Sequence, residues 1–130
     1  MLIEGLASVF LEEDQSGDRV RPGAFAQSLK RPRAVPMLWR HRSGAVAGEW
    51  TSFRETGRGL EVRGLISGEK PFGKLALGQL KSGLNGLSIG FRPRRWRMRP
   101  DGGRDLIEVD LVEVSLVANP MAKNARFRAA

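Results

Sequence analysis

Two long runs, Leu87–Arg99 and Arg104–Ala118, flank the turn sequence Pro100-Asp101-Gly102-Gly103, and this hairpin restricts the fold more than any other feature. A chain that commits so much of its length to one hairpin must bury one of its faces, which draws the remaining segments into a sheet or barrel around it. Placing Arg99 opposite Arg104 pairs Leu87 with Leu116, Ile89 with Val114 and Phe91 with Val112, an apolar ladder on one face. Nearer the turn, Trp96 meets Ile107 on the other face and Arg95 meets Glu108 as opposite charges. The expectation is a long twisted hairpin passing from one side of a barrel to the other. On the face opposite the ladder, Ser88 pairs with Ser115 and Gly90 with Glu113. A hydroxyl and a carboxylate therefore share one polar face, about 7–8 Å apart on the diagonal, with room for an imidazole between them. Asp110 is expected on the opposite face.

The rest of the chain reads in shorter pieces. Met1–Phe10 predicts a strand, Glu12–Gly17 a polar loop, and Val20–Lys30 a short helix with Pro22 near its start and Phe25 and Leu29 one turn apart. Pro32 and Pro36 bracket an extended segment leading into Met37-Leu38-Trp39. Val46–Arg54 and Leu60–Ile66 predict strands joined across Thr56-Gly57-Arg58-Gly59. A helix starts at Pro71, with Phe72, Leu75, Ala76 and Leu80 on its apolar face, Lys81 in the last turn and Gly83 as its stop. No repeat, low-complexity tract or linker interrupts the 130 residues, so the expectation is one domain over residues 1–130. Its class is mainly β (α+β), a compact barrel-like sheet with short helices.

Composition removes several chemistries. The chain has no cysteine, which excludes disulfide staples, thiolate zinc sites and a cysteine nucleophile. With one histidine as well, no metal site and no cofactor is expected. No apolar run approaches the roughly 20 residues of a membrane span, and Met1–Gly5 carries no signal-type pattern, so a cytoplasmic chain without membrane partners is expected. The net charge of +8 admits nucleic acid or an acidic protein as partner, or serves solubility alone. Arg92-Pro93-Arg94-Arg95-Trp96-Arg97-Met98-Arg99 poses the same question locally. It suits a nucleic-acid backbone, but is read here as an edge strand with solvated arginines and with Trp96 and Met98 turned to the core, where an acidic segment can dock.

Gly86-Leu87-Ser88-Ile89-Gly90 fits the G-x-S-x-G pattern of the α/β-hydrolase nucleophile elbow. The context excludes that fold, because Ser88 begins a strand and the only histidine precedes it. A serine nucleophile still needs a base, an orienting group and room for the substrate. His41 is the sole imidazole, and its neighbours Arg40 and Arg42 are expected to lower its pKa. Glu113 is the first choice for the orienting acid, with Asp110 as the alternative. Gly86, Ile89 and Gly90 are candidate substrate-binding positions, the glycines because they let a backbone approach closely. The bland alternatives are a solvated surface histidine, a serine chosen for its size, and a structural carboxylate among valines.

Four ordered segments give a resemblance. Asp18-Arg19-Val20-Arg21-Pro22-Gly23-Ala24-Phe25, Val35-Pro36-Met37-Leu38-Trp39-Arg40-His41, Gly83–Phe91 with its Ser-Ile-Gly-Phe ending, and Leu111-Val112-Glu113-Val114-Ser115-Leu116-Val117-Ala118-Asn119-Pro120 together resemble the tailed-phage prohead (capsid maturation) serine proteases. The resemblance maps the family's histidine and serine onto His41 and Ser88, and matches Glu113 to its Glu-Val-Ser-Leu-Val motif. It implies an antiparallel β-barrel ringed by short helices, similar to herpesvirus assembly proteases. Those relatives use a second histidine as third member, which this chain lacks. The residue after the histidine, commonly acidic in the family, is Arg42 here. The resemblance further implies an endopeptidase, needing no cofactor, that cuts scaffold and major-capsid-protein segments and itself inside the immature capsid, in the cytoplasm of a bacterial host. Self-association as a dimer or higher oligomer fits it, as does an origin in a phage, prophage or gene transfer agent, whether trimmed or compact. The competing expectation is a non-enzymatic basic β-barrel that binds nucleic acid or the capsid interior.

Overall fold

In the computed structural model, which describes residues 1–31 and 33–130, eight strands form one sheet. They are β1 (Leu2–Val9), β2 (Asp18–Val20), β3 (Pro36–Trp39), β4 (Val46–Glu55), β5 (Gly59–Ile66), β6 (Gly86–Met98), β7 (Arg104–Val117) and β8 (Phe127–Ala129), with helices α1 (Ala26–Leu29) and α2 (Pro71–Gln79). Pro32 lies outside the described residues. The strand order is β2-β7-β3-β4-β5-β1-β8, and β6 pairs with β7. The sheet curls until its ends meet: Leu87 N–H donates to Ala125 O and Phe127 N–H to Asn85 O, and Gly86 bridges Arg126. The barrel expected from the hairpin is thus formed, mainly antiparallel. The parallel contacts are those of β7 with β2 and β3.

Alternation explains most of the strands. In β5, Leu60, Val62 and Ile66 point inward and are fully buried, as a half-buried strand requires. Phe25, Met37, Trp39, Leu87, Val109, Leu111, Val114 and Leu116 complete the same core. The central hairpin departs from simple alternation. Its register follows the expectation from Gly86↔Val117 to Gly90↔Glu113 and again at Arg95↔Glu108, but Phe91 pairs with Leu111 and Trp96 with Leu106. Val112 and Ile107 are each an extra residue on β7, a β-bulge that shifts the side-chain phase by one. Leu116 and Val114, then Leu111 and Val109, then Leu106 consequently reach one core. The apolar pattern changes parity because of bulges, where the sequence suggested a change of barrel side.

Two further expectations need correction. Trp96 and Met98 are 49% and 57% exposed; the bulges and the free outer edge of β6 leave this end of the hairpin beyond the core. In α2, Gly73 and Ala76 are buried while Leu75 is exposed. Phe72, Ala76 and Leu80 pack on the core as expected, but Leu77 takes the place of Leu75; a Cβ at Gly73 would run into the Ser67 and Ala47 carbonyls, and only glycine lets the helix approach so closely.

Arg99 ties the hairpin turn to the loop after β1. Its guanidinium donates to Asp105 Oδ1 at 3.0 Å, Glu13 Oε1 at 2.6 Å and the Gly17 carbonyl at 2.8 Å. Arg104 forks onto buried Asp18, with both contacts at 2.8 Å. Planar donor pairs of this kind suit a carboxylate better than a lysine would.

Candidate functional site

β7 lies between the strand that carries Ser88 and the strand that leads to His41. Ser115 of β7 is the register partner of Ser88 on β6 and of Leu38 on β3. β3 then ends in a tight turn in which Arg42 N–H donates to the Trp39 carbonyl at 3.0 Å. Both central residues have positive φ, Arg40 at 50° and His41 at 60°, the handedness of the turn that joins twisted antiparallel strands with little splay. Glycine or asparagine is the usual occupant, and other residues pay about 1–2 kcal/mol each. Here the turn brings His41 against the polar face of β7, where Ser115 and Glu113 bond it.

On that face the side chains form a closed circuit. Glu113 Oε1 meets His41 Nδ1. Glu113 Oε2 accepts from the Ser115 hydroxyl at 2.6 Å, and Ser115 Oγ accepts the His41 backbone N–H at 2.9 Å. Glu113 and Ser115 are buried, whereas the His41 side chain is 42% exposed. The hydrogen bond from His41 to Glu113 raises the imidazole pKa above its ordinary value; burial opposes this and the carboxylate charge adds to it. The direction is opposite to that expected from the flanking arginines. Those guanidiniums turn away, Arg40 stacking over Trp39 at 4.8 Å and Arg42 over Phe72 at 5.5 Å.

Asp110 is on the same side of β7 as Glu113, because the bulge at Val112 intervenes. It is not brought to His41. Arg31 reaches it at 2.9 Å and Arg94 at 2.5 Å. Burial pushes its pKa upward, but the Arg94 hydrogen bond and the charges of Arg31, Arg94 and Arg33 outweigh this and hold the carboxyl below the usual range.

Ser88 and His41 line one cavity of about 190 Å³, together with Ile89, Phe91, Ala7–Val9 and the carboxylates Glu12, Asp14 and Asp18. Ser88 is 6% exposed. His41 hydrogen-bonds Glu113 and Ser115, and among the described residues no hydrogen bond joins it to Ser88; such pairs often tighten only around substrate. Of the three candidate substrate-binding positions, Ile89 lines this cavity, and both glycines are closely packed. A Cβ on Gly90 would overlap the Glu113 carboxylate, and one on Gly86 would come within 2.9 Å of Pro120 Cδ. The glycine spacing that imitates a nucleophile elbow is therefore dictated by the carboxylate and by chain packing. Ser115 is the site residue that sequence reasoning passed over as a mere cross-strand neighbour. Its signal was the Glu-x-Ser spacing, which puts a hydroxyl on the face of the carboxylate. Among the described residues no group of His, Asp and Glu side chains could hold a metal ion.

Comparison with known proteins adds a lineage to this geometry. The family model described as caudovirus prohead serine protease matches residues 1–130. The prohead protease of Enterobacteria phage HK97 is 37% identical over 93 residues, which are 69% of this chain and 41% of that protein. Among solved structures, the KSHV protease in complex with a hexapeptide phosphonate inhibitor is similar with a TM-score of 0.62 at 16% identity, covering 97% of this chain and 63% of that one. The bacteriophage T4 capsid assembly protease is similar with a TM-score of 0.64 at 14% identity, covering 89% and 82% respectively. At such identities the likeness is one of fold.

Proposed function

From the premise that this chain belongs to the caudovirus prohead serine protease family, we propose that it is a serine endopeptidase in which Ser88 is the nucleophile and His41 the base. The observation that carries this reading is the shared cavity, with the Nδ1 side of His41 taken up by Glu113. A carboxylate only accepts, so Nδ1 carries the proton and Nε2 is left as the acceptor. Ser88 Oγ attacks the scissile carbonyl carbon as its proton passes to Nε2. The imidazolium, stabilised by Glu113, then returns that proton to the leaving amine and an acyl-serine ester remains. Water, deprotonated by the same nitrogen, attacks the ester carbonyl; the acyl carbon–Oγ bond breaks, Nε2 gives the proton to Ser88 Oγ, and the carboxylic acid product leaves. Glu113 orients the ring throughout.

Family membership supports capsid-protein and scaffold segments, and the chain itself, as substrates inside the immature capsid. The decisive experiment is co-expression with the capsid protein. Ser88→Ala is expected to abolish processing of that protein and of the protease while the fold persists; identical products from wild type and variant would refute the assignment.

One observation favours a second activity alongside this one. Trp96 and Met98 are exposed on a strand that also presents Arg92, Arg95 and Arg97, a basic surface with an aromatic face suited to single-stranded nucleic acid. Binding to random DNA that weakens with salt, and further with Arg95→Ala or Arg97→Ala, is the expected signature.

A further inference from the structure

We propose that Ser115 is a positioning residue that sets both the backbone and the ring of His41, by holding its main-chain N–H and its orienting carboxylate in one hydrogen-bonded circuit. The proposal rests on the reading of Ser88 and His41 as nucleophile and base, and adds the group that determines which nitrogen faces the nucleophile.

The polarity of the circuit is forced at each step. A backbone N–H can only donate, so the His41 N–H makes Ser115 Oγ an acceptor at 2.9 Å. The single hydroxyl proton of Ser115 then has an acceptor-only partner, Glu113 Oε2, at 2.6 Å. With that oxygen engaged, Oε1 takes the Nδ1 proton of the same histidine. Ring tautomer, carboxylate rotamer and turn conformation thus depend on one buried hydroxyl.

Its place in the fold explains why one residue can do this. Ser115 is 0% exposed and is paired across the sheet with Ser88 on one side and Leu38 on the other. It refers the nucleophile's strand and the base's turn to the same point. The turn needs such an anchor, because Arg40 and His41 both have left-handed φ without being glycine. Among the described residues, Glu113 is the one charged group that is hydrogen-bonded or ion-paired to the ring. On its own turn, Arg40 and Arg42 stack on Trp39 and Phe72. From β7, Glu113 is bonded to it, and Glu12, Asp14 and Asp18 line the cavity that it borders.

The chain has a single histidine, so its imidazole can be followed alone by NMR with labelled histidine, in the full chain carrying Ser88→Ala to prevent self-cleavage. The parent is expected to show the Nδ1–H tautomer. Adding Ser115→Ala should mix the two tautomers and lower the titration midpoint toward that of a free imidazole. Ser115→Cys, which keeps a weak donor, should fall between the two. Adding Glu113→Gln to Ser115→Ala should lower the midpoint further, because the carboxylate charge itself favours the imidazolium, but should leave the tautomer mixture little changed. In the active chain, Ser115→Ala should lower kcat about 10- to 100-fold with KM within about twofold, and move the acid limb of the rate profile down. A folded Ser115→Ala protein with the parent's tautomer and midpoint overturns the proposal, as does a loss confined to melting temperature. Failure of the protease reading shows separately, as cleavage that survives Ser88→Ala, and the tautomer measurement in that background still decides the role of Ser115.

Discussion

Gly90 shows how tightly the candidate site constrains single residues. A methyl group there collides with the Glu113 carboxylate, so Gly90→Ala is expected to displace the proposed orienting acid and lower kcat about 100-fold, with a much smaller change in melting temperature. Equal losses of activity and stability would show that the glycine serves packing alone. The acid itself is tested by pH. Glu113 favours the imidazolium, so the folded pKa of His41 is raised, and the acid limb of kcat/KM is expected above the ordinary imidazole value. Glu113→Gln should lower that limb and cost far more activity than Asp110→Asn, whose carboxylate is engaged by Arg31 and Arg94. The same shift has a stability sign. A raised folded pKa stabilises fully below the unfolded pKa of about 6.5, and the contribution disappears as pH rises through the folded value. His41→Ala should therefore be more destabilising at pH 5.5 than at pH 9 in chemical denaturation.

At the scale of elements, β7 organises the molecule through its bulges. Where the bulge at Val112 interrupts the ladder, α1 supplies the missing partner: Leu111 N–H donates to Ser28 Oγ at 2.9 Å in a buried setting. Ser28→Ala leaves that N–H unpaired, and a loss of about 1–3 kcal/mol is expected in urea unfolding; an unchanged midpoint would mean that water replaces the hydroxyl. The hairpin was legible from Gly86 to Gly90 because that stretch is regular and its apolar ladder forbids a slip. Beyond Gly90 the sequence carries no mark of a bulge, since an inserted residue changes phase without changing composition. That is why the register partners of Phe91 and Trp96, the side on which Asp110 lies, and the exposure of Trp96 and Met98 differ from expectation.

Over the whole molecule, charge does two kinds of work. Paired acids tie strand to strand, as Glu61 does with Arg54 and Glu4 with Arg63, and tie a loop to the hairpin turn, as Glu13 does with Arg99. The Arg99 hydrogen bond to Asp105 lowers the pKa of that carboxyl, against burial and together with Arg21. Asp110 is depressed as well, as its arginines override burial. Depressed folded pKa values give stability that is complete above the unfolded pKa of about 3.9 and is lost as pH falls through the folded ones. Melting temperature is thus expected to drop steeply below about pH 4, and less steeply in an Arg99→Met, Asp105→Asn protein. An identical acid slope in that double variant would place the acid sensitivity elsewhere. On the outer end of β6, Arg92, Arg95 and Arg97 are exposed and make the strand basic.

Taken alone, the sequence determined the mainly β class, the hairpin and its register near Ser88, and the pairing of a hydroxyl face with Glu113, because alternation and turn chemistry are local properties. It also limited the chemistry, since a chain with one histidine and no cysteine offers few nucleophile–base pairs. Tertiary structure alone decided which acid meets His41, which nitrogen is left free, and why Ser115 and Gly90 stand where they do. These depend on β3 lying parallel to β7, a contact between distant segments. They depend also on a bulge and a left-handed turn, whose energetic cost is met only when the rest of the barrel is in place.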